Sequence, residues 1–591
     1  MTETKNNSSL ENINEIFKIP ICYNDKVKKL NENVITDLEL VKSINEDEKS
    51  IYDNIFKPSN KLSGKVIEQF ANHYTTDTDY LKKTQDLIKS IHSKELNTIQ
   101  NKHSFSDFEI NDIVGLWDEI KSETGFCEKY LYIDWSFAKE LNNNPSFLQI
   151  MSIYNIASPI LSLCLPIFVL IIPFIIIKIR GIEVSINQYI EILKSIISNH
   201  AIFKVFTQFH EVDTSQKIYL LFSSAFYLFS IYQNILVCVR FYSNMQKIHT
   251  YLSKFKHYLA YTLDVIDYYS FKTNELTNYT KFRNSLEKNK NVLVKLYYEL
   301  NSLTAFSFSI KKIGEIGRVM HCFYQLYDNK EYDEALLYSF GFNGYFSIIA
   351  QTSLHVEENR LVKTKLLDKD LSKIKNSKPI FKKMYYPKFI NEESTNIVKN
   401  DCNLNKNMII TGPNASGKTT TLKSVLINII LSQQIGFGCF DSLKLSPFDN
   451  IHCYLNIPDT SGRDSLFQAE ARRCKEIIDC IDEKKEETHF CIFDELYSGT
   501  NPDEAVVSAS AFMKYIVKNN TVTCLLTTHY IKLCKKLSKN KRIKNYNMKT
   551  IKTNMDFEYT YLIEEGISNI KGGLKVLKDM NYPQEILDNT K

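Results

Sequence analysis

No C-x-x-C pair occurs among the 13 cysteines, which excludes a zinc ribbon and a dense disulfide framework of the secreted kind. Reduced thiols in a cytoplasmic setting are expected, with no metal cluster. The chain also lacks a strong excess of either charge: 73 Lys and Arg against 68 Asp and Glu give a net +5 over 591 residues. That balance excludes bulk charge as a nucleic-acid-binding device, so any basic surface must be local. Glycine and proline are scarce, at 17 and 13, while 44% of residues are hydrophobic and 24% charged. This is the profile of a well-folded chain too long for one core, and about two to four domains are expected. The first residues, MTETKNNSSLENINEIF, hold no apolar stretch of their own, so no signal peptide is expected.

A mean hydropathy of −0.24 hides two long uncharged stretches. Residues 156–177, IASPILSLCLPIFVLIIPFIII, end at Lys178 and Arg180; residues 218–239, IYLLFSSAFYLFSIYQNILVCV, are bounded by Lys217 and Arg240. At 1.5 Å per helical residue, each can cross a hydrocarbon core of about 30 Å. Two transmembrane helices forming a hairpin over 155–240 are therefore expected, the alternative being two buried core helices. The second stretch is the more polar, with Ser223, Ser224, Tyr227, Gln233 and Asn234. In the first, Pro159, Pro166 and Pro173 recur at a fixed step and are expected to kink or loosen the helix. Two crossings return the chain to its starting side. The loop carries Lys178, Arg180, Lys194, Lys204 and Lys217 against Lys139, Arg240 and Lys247 on the other flank. The positive-inside rule would place that loop inside, in conflict with the cytoplasmic ATP site argued below.

The rest divides by pattern. Residues 1–105 are polar but show helical spacing in YLKKTQDLIKSIHSKELNTIQ, which predicts a partly helical N-terminal region. Residues 106–154 hold Trp117, Tyr130, Tyr132, Trp135 and Phe137, either a packed helical collar or an interfacial belt beside the first span. Between the spans, VSINQYIEILKSIISNH predicts an amphipathic helix. Residues 241–379 repeat apolar positions at three- and four-residue steps and predict an all-α middle domain. From 380 to 591, short β-like runs (MIIT, HFCIF, VTCLLTT) alternate with helical segments, the rhythm of an α/β domain with a mostly parallel sheet.

The chemistry sits in that last region. MIITGPNASGKTTTLKS, residues 408–424, is an apolar run, then G-x-x-x-x-G-K-T, then a helical continuation. Gly412 and Gly417 let the loop curl so that backbone N–H groups meet phosphate oxygens, with Pro413, Asn414, Ala415 and Ser416 between them. Lys418 suits the outer phosphates, the Thr419 hydroxyl suits Mg²⁺, and Thr420 continues the helix start. A second apolar strand, HFCIFDE, delivers Asp494 for Mg²⁺ and Glu495 to polarise an attacking water. A third, VTCLLTTHY, ends at His529, where an imidazole can sense the terminal phosphate. ATP and Mg²⁺ are the expected substrate and cofactor.

Together these residues resemble the ATPase domain of the MutS family of DNA mismatch repair proteins, a branch of the ABC-type P-loop ATPases. GPNASGKTT resembles the family's phosphate loop, DELYSGTNPDEA its D-E-x-x-x-G-T element through Gly499 and Thr500, and Thr528-His529-Tyr530 its T-H-Y motif. SGRDSLFQAEARR is similar to the segment between them through Phe467 and Glu470. The resemblance places Ser465 where the family has the serine that completes a partner subunit's ATP site. It aligns Ile397 and Val398, in IVKNDCNL, with positions flanking the adenine, and it covers about residues 380–590. It implies a homodimeric ATP hydrolase with composite sites, catalytic Lys418, Glu495 and His529, and DNA as a partner known from the family. Helices 241–375 are similar to the family's lever only in character. The Phe-x-Glu wedge of mismatch readers has a formal match in Phe126-Cys127-Glu128, read as chance, so a member without the mismatch-reading domain is expected.

Two functional readings follow. The first is a membrane-anchored MutS-like ATPase with its ATPase domain on the cytoplasmic side, coupling Mg²⁺-dependent hydrolysis to dimer opening and closing. The second is a DNA mismatch repair or recombination clamp whose apolar stretches are buried in protein. A transporter subunit is disfavoured because no L-S-G-G-Q-like signature precedes DELYSGT. The Lys-rich stretch KKLSKNKRIKNYNMKTIK at 535–552 could contact phosphates or form a solvated face.

Overall fold

A computed structural model describes the chain except residues 1–11, 105–106, 182–184, 200–212, 307–309, 369–377, 394–396, 456, 458–464, 553–556, 571–576, 579 and 589–591. It divides into two compact units, each assembled from separate stretches of sequence. Residues 112–260 and 291–335 form most of the first, and 7–111, 261–290 and 336–591 the second.

The first unit carries both apolar stretches on helices. α1 runs from Pro145 to Ile179, α2 from Ile186 to Asn199 and α3 from Thr214 to Thr273. α2 is the amphipathic helix expected between the spans. α1 is continuous through all three prolines, and hydroxyl groups explain part of this. Proline has no N–H, so Pro159 leaves the Asn155 carbonyl and Pro166 the Ser162 carbonyl without a helical donor. Ser158 Oγ donates to Asn155 O at 3.1 Å, and the Tyr227 hydroxyl on α3 donates to Ser162 O at 3.0 Å. Asn234 donates to Ser162 Oγ and Cys238 lies 3.7 Å from Ile156 O, which aligns α1 and α3 antiparallel. Two of the polar residues that weaken the second stretch on paper, Tyr227 and Asn234, thus face its neighbour.

Among the described residues the two apolar stretches are largely exposed. In the most apolar windows of α1 and α3 only 17% and 6% of residues are buried, and Ile160, Ile172, Phe222 and Phe226 are exposed. The aromatic segment splits in two. Trp117, Tyr130 and Tyr132 are buried, whereas Trp135 and Phe137 are exposed and stacked on each other at 5.8 Å. Phe126 is buried against Tyr327, with ring centroids 3.8 Å apart, which removes it as a wedge. The domain edge expected after residue 240 falls inside α3, because the apolar run stops at Arg240 while the helix continues.

The second unit contains a six-stranded sheet of β1 (Asn407–Thr411), β2 (Asn450–Tyr454), β3 (His489–Asp494), β4 (Val522–Thr528), β5 (Ile543–Lys552) and β6 (Phe557–Glu565). Its order is β2-β3-β4-β1-β5-β6, parallel except for the β5–β6 pair. β1, β3 and β4 are the three apolar runs expected to be strands. α4 (Lys418–Gln434) is buried along nearly all its length, as its unbroken run of apolar and amide residues requires. Alternate strand residues, among them Cys491, Phe493, Cys524 and Leu526, pack with α5 (Leu466–Glu483) and α6 (Pro502–Ile516) in one cluster. A smaller four-stranded sheet includes Ile380–Met384 and Asn400–Asn403.

The polar N-terminal region is built into this same unit. Its helices at Lys61–Asn72 and Thr78–Ser90 bury one apolar face each. Their polar groups complete the C-terminal part: Tyr52 OH donates to Gln434 Oε1 at 2.7 Å, Tyr74 OH to Asp449 O at 2.7 Å, and Gln85 Nε2 to Gly436 O at 2.6 Å. Lys423 on α4 pairs with Glu39 at 2.8 Å. A Cβ at Gly436 would stand 2.4 Å from Gln85 Cγ, so glycine is required there.

Candidate functional site

β1 leads into the loop 412–417 and α4 leads away from it, so the unpartnered N–H groups of the first helical turn lie beside the loop. The tight path needs unusual backbone. Gly417 sits at φ 93° and Ala415 at 62°, the latter costing an L-residue about 1–2 kcal/mol. A Cβ on Gly412 would come within 2.8 Å of Ser416 Oγ, which donates to Pro413 O at 2.7 Å and braces the turn.

Lys418 is buried, and its ammonium donates to the Gly412 and Pro413 carbonyls at 3.1 Å each. Burial pulls its pKa below the usual lysine value, with the nearby Glu495 and Asp494 charges working the other way. Such a cation, held only by neutral carbonyls, is matched to an anionic ligand. At the end of β3, Asp494 accepts from Thr419 Oγ1 at 2.7 Å on one oxygen and from Thr527 Oγ1 on the other. An octahedral Mg²⁺ with bonds of 2.0–2.1 Å has ligand edges of about 2.9 Å, so the Thr419 and Asp494 oxygens fit that ion.

Glu495 adopts φ 51°, and its amide donates to Thr527 O at 3.1 Å. Its Oε2 lies 3.2 Å from His529 Nε2. Burial alone would raise the Glu495 pKa; the His529 hydrogen bond and the charges of His529 and Lys418 outweigh it and hold the carboxyl below its ordinary value. It is thus an ionised acceptor, suited to orienting a water molecule.

A cavity of about 550 Å³ opens over these groups, within the roughly 300–1,000 Å³ of ligand clefts. Asn414, Ala415, Gly417, Lys418, Thr419, Thr420 and Glu495 line it, as does Val398. Gly412, Pro413 and Ser416 form the loop behind, and Asp494 and His529 join through Thr419 and Glu495. Ile397 is half-buried and does not line the cavity. Ser465 does not line it either. It is the exposed N-cap of α5, in a reciprocal capping box with Gln468.

Sequence patterns gave no sign of the cavity's aromatic lining. Tyr386, Phe389 and Tyr561 also line the cavity and supply flat surfaces where position 397 offers only an aliphatic side chain. Tyr386 and Phe389 pack edge to face at 5.6 Å. Asn400 places Tyr561, donating to its carbonyl at 2.9 Å and accepting from Ile563 N at 2.8 Å. Glu470 was matched only by its spacing, and its role is now visible. Buried on α5, it accepts from Ser498 N at 3.0 Å, Ser498 Oγ at 2.9 Å and Gly499 N at 3.2 Å. A Cβ on Gly499 would meet Leu466 Cγ at 2.7 Å, so the Ser-Gly pair after Glu495 lets this clasp close.

The model of MutS domain V matches residues 408–591, the stretch that carries the loop, Asp494, Glu495 and His529. The C-terminal region belongs to the MutS family. It is 29% identical over 212 residues to a DNA mismatch repair protein MutS of Orientia tsutsugamushi (strain Ikeda), covering 34% of this chain and 23% of that protein. The MutS of Staphylococcus epidermidis is 28% identical over 196 residues, covering 32% and 22%. That of Streptococcus agalactiae serotype Ia is 26% identical over 249 residues, covering 41% and 27%. The chain spans about a quarter of the length of these relatives. Within the MutS region, residues 461–464 and 571–576 lie outside the described residues, so the start of the Ser465 segment and part of the tail have no structural account.

Proposed function

We propose that the chain is a membrane-anchored MutS-type ATPase in which Mg²⁺-dependent hydrolysis of ATP is coupled to the opening and closing of a homodimer. The observation that carries the reading is the convergence on one cavity of Lys418, the Thr419–Asp494 pair and the Glu495–His529 pair. Lys418 exchanges its two carbonyl partners for phosphate oxygens. Thr419 and Asp494 would hold Mg²⁺, which would supply charge neutralisation at the outer phosphates. Glu495 aligns the attacking water and accepts its proton, while His529 fixes the carboxylate. Exposed Ser465 is available to a partner's site.

Membrane anchoring rests on the exposed apolar faces of α1 and α3 and on their pairing through Ser162. The second unit adds a topological argument. Because residues before α1 and after α3 build one folded unit, the chain between them must start and end on one side of any bilayer, as an even number of crossings does. The exposure of Ile160, Ile172, Phe222 and Phe226 supports this reading over the alternative in which the stretches are buried in protein. DNA binding enters from the relatives' printed names alone. The basic stretch 535–552 adds little, since Lys544 pairs with Glu565, Lys549 lies 3.8 Å from Glu564, and Arg542 donates to the carbonyls of Val517 and Lys518.

Two measurements test the proposal. Lys418→Ala abolishes ATP binding, whereas Glu495→Gln retains it and lowers turnover by at least about 100-fold; normal turnover in Glu495→Gln sinks the assignment. The full chain resists carbonate extraction from membranes and a version lacking residues 150–245 does not. Release of both removes the anchor.

A further inference from the structure

At the edge of the six-stranded sheet, away from the residues assigned to hydrolysis, three soft ligand groups converge. His452 comes from β2, His489 opens β3, and Cys480 lies in the last turns of α5. One ligand atom from each lies within 4.8 Å of both others. Both histidines are buried, and their imidazoles stack at 5.5 Å with an angle of 13° between rings. His452 Nε2 stands 3.2 Å from His489 Nδ1. A zinc-class ion with Zn–N bonds of about 2.0–2.1 Å and tetrahedral angles separates two nitrogen ligands by about 3.3 Å.

The surroundings favour a metal over a simple imidazole pair. His489 Nε2 lies 3.1 Å from the Lys484 carbonyl, which requires that nitrogen to carry the proton and turns the Nδ1 lone pair toward His452. A backbone acceptor on the far nitrogen is the usual support of a metal-bound histidine. Burial holds both rings neutral, the form that coordinates, the neighbouring imidazole and Lys484 adding to this at His452. Burial, with the charges of Glu483 and Glu487, holds the Cys480 thiol above its ordinary value against Lys484, so an ion entering here displaces the thiol proton. Cys480 is a free thiol and half-exposed, which leaves an entry path from solvent. The step still required is a movement of about 1 Å, from a separation of up to 4.8 Å to the roughly 3.6 Å expected between nitrogen and thiolate ligands.

We propose that His452, His489 and Cys480 form a binding site for a divalent zinc-class cation, which pins the end of α5 to β2 and β3. This revises the expectation of no metal cluster, which rested on sequence spacing: the ligands come from three separate elements. The site is independent of ATP hydrolysis. Its imidazole and thiolate donors select a softer ion than the oxygen donors of Thr419 and Asp494.

The test uses the purified full chain in detergent with Mg²⁺–ATP present, so that the oxygen site is occupied. After loading with Zn²⁺ and gel filtration, metal analysis shows one more equivalent retained by the wild type than by Cys480→Ser or His452→Gln, with at least tenfold weaker binding in both variants. Loading with Co²⁺ gives a sulfur-to-cobalt charge-transfer band that Cys480→Ser lacks. ATP binding in the same samples shows that the half-exposed serine variant is folded. No retained Zn²⁺ in the wild type, or undiminished retention and an unchanged cobalt band in folded Cys480→Ser, overturns the proposal.

Discussion

The Tyr227 hydroxyl donates at 3.0 Å to the carbonyl of Ser162, the oxygen that Pro166 deprives of its helical partner. A kink-prone helix is thereby tied to its neighbour by the very group left open. Tyr227→Phe removes the donor and keeps the ring, so it lowers the stability of the hairpin by about 1 kcal/mol. Thermal unfolding in detergent measures this; an unchanged midpoint shows that the carbonyl finds another donor.

Glu470 holds the loop that follows Glu495, and its loss acts on stability and turnover together. Glu470→Ala strands the buried donors of Ser498 and Gly499 and costs about 3 kcal/mol. The turnover number falls while ATP affinity changes little, because the loop and not the phosphate cradle moves. Denaturant titration and steady-state kinetics check the two parts, and full activity in Glu470→Ala contradicts the clasp.

Ser465 has a local role and a proposed intersubunit one, which separate cleanly. Both Ser465→Ala and Gln468→Ala break the capping box at a cost of about 1 kcal/mol. Only Ser465→Ala reduces ATP turnover, and only at protein concentrations where the chain is dimeric. Equal rates in the two variants argue against a composite site.

Two buried groups give stability an opposing pH dependence. His355 is fully buried near Lys57 and Arg360, and burial, reinforced by those cations, lowers its pKa to about 4. Its unfolded form binds a proton near pH 6.5, so its contribution is complete above that value and is lost as pH falls toward 4, on the order of 3 kcal/mol. Asp37 behaves in reverse. Burial raises its pKa to about 6 despite Arg473 at 3.9 Å, so its contribution is complete below about 4 and is lost as pH rises through 6. His355→Gln therefore flattens the acid-side loss and Asp37→Asn the opposing slope. Unfolding midpoints from pH 4 to 7 decide, and unchanged slopes refute the assignments.

A DNA role has a signature of its own. Phosphate contacts make affinity fall steeply with salt, so a clamp binds duplex DNA at low ionic strength with ATP and releases it as salt is raised. Absence of binding at low salt with ATP present removes that reading.

The candidate site was legible where chemistry fixes spacing along one strand end or one loop. The phosphate loop, Asp494-Glu495 and His529 each announce themselves in a few consecutive residues. Tyr386, Phe389 and Tyr561 did not, because they reach the cavity from the short 3-10 turn after strand Ile380–Met384 and from β6, and aromatic residues are common throughout this chain. His452, Cys480 and His489 were hidden for the same reason, with no spacing to join them. Helical periodicity revealed the N-terminal helices, but composition gave the wrong impression of that region. Its surface Asn, Lys and Asp mask apolar faces that close on α4, and only tertiary contact shows it.

The sharing of one folded unit by the two ends of the chain also sets an order of events during synthesis. The N-terminal helices end at His103 and α4 begins at Lys418; at about 5–20 residues per second, a ribosome needs roughly 15–60 seconds to make the intervening chain. Throughout that interval Tyr52 and Tyr74 lack the C-terminal acceptors Gln434 Oε1 and Asp449 O to which their hydroxyls donate. The N-terminal segment thus completes its fold only after synthesis has reached α4, so the second unit closes late, around the last-made third of the chain.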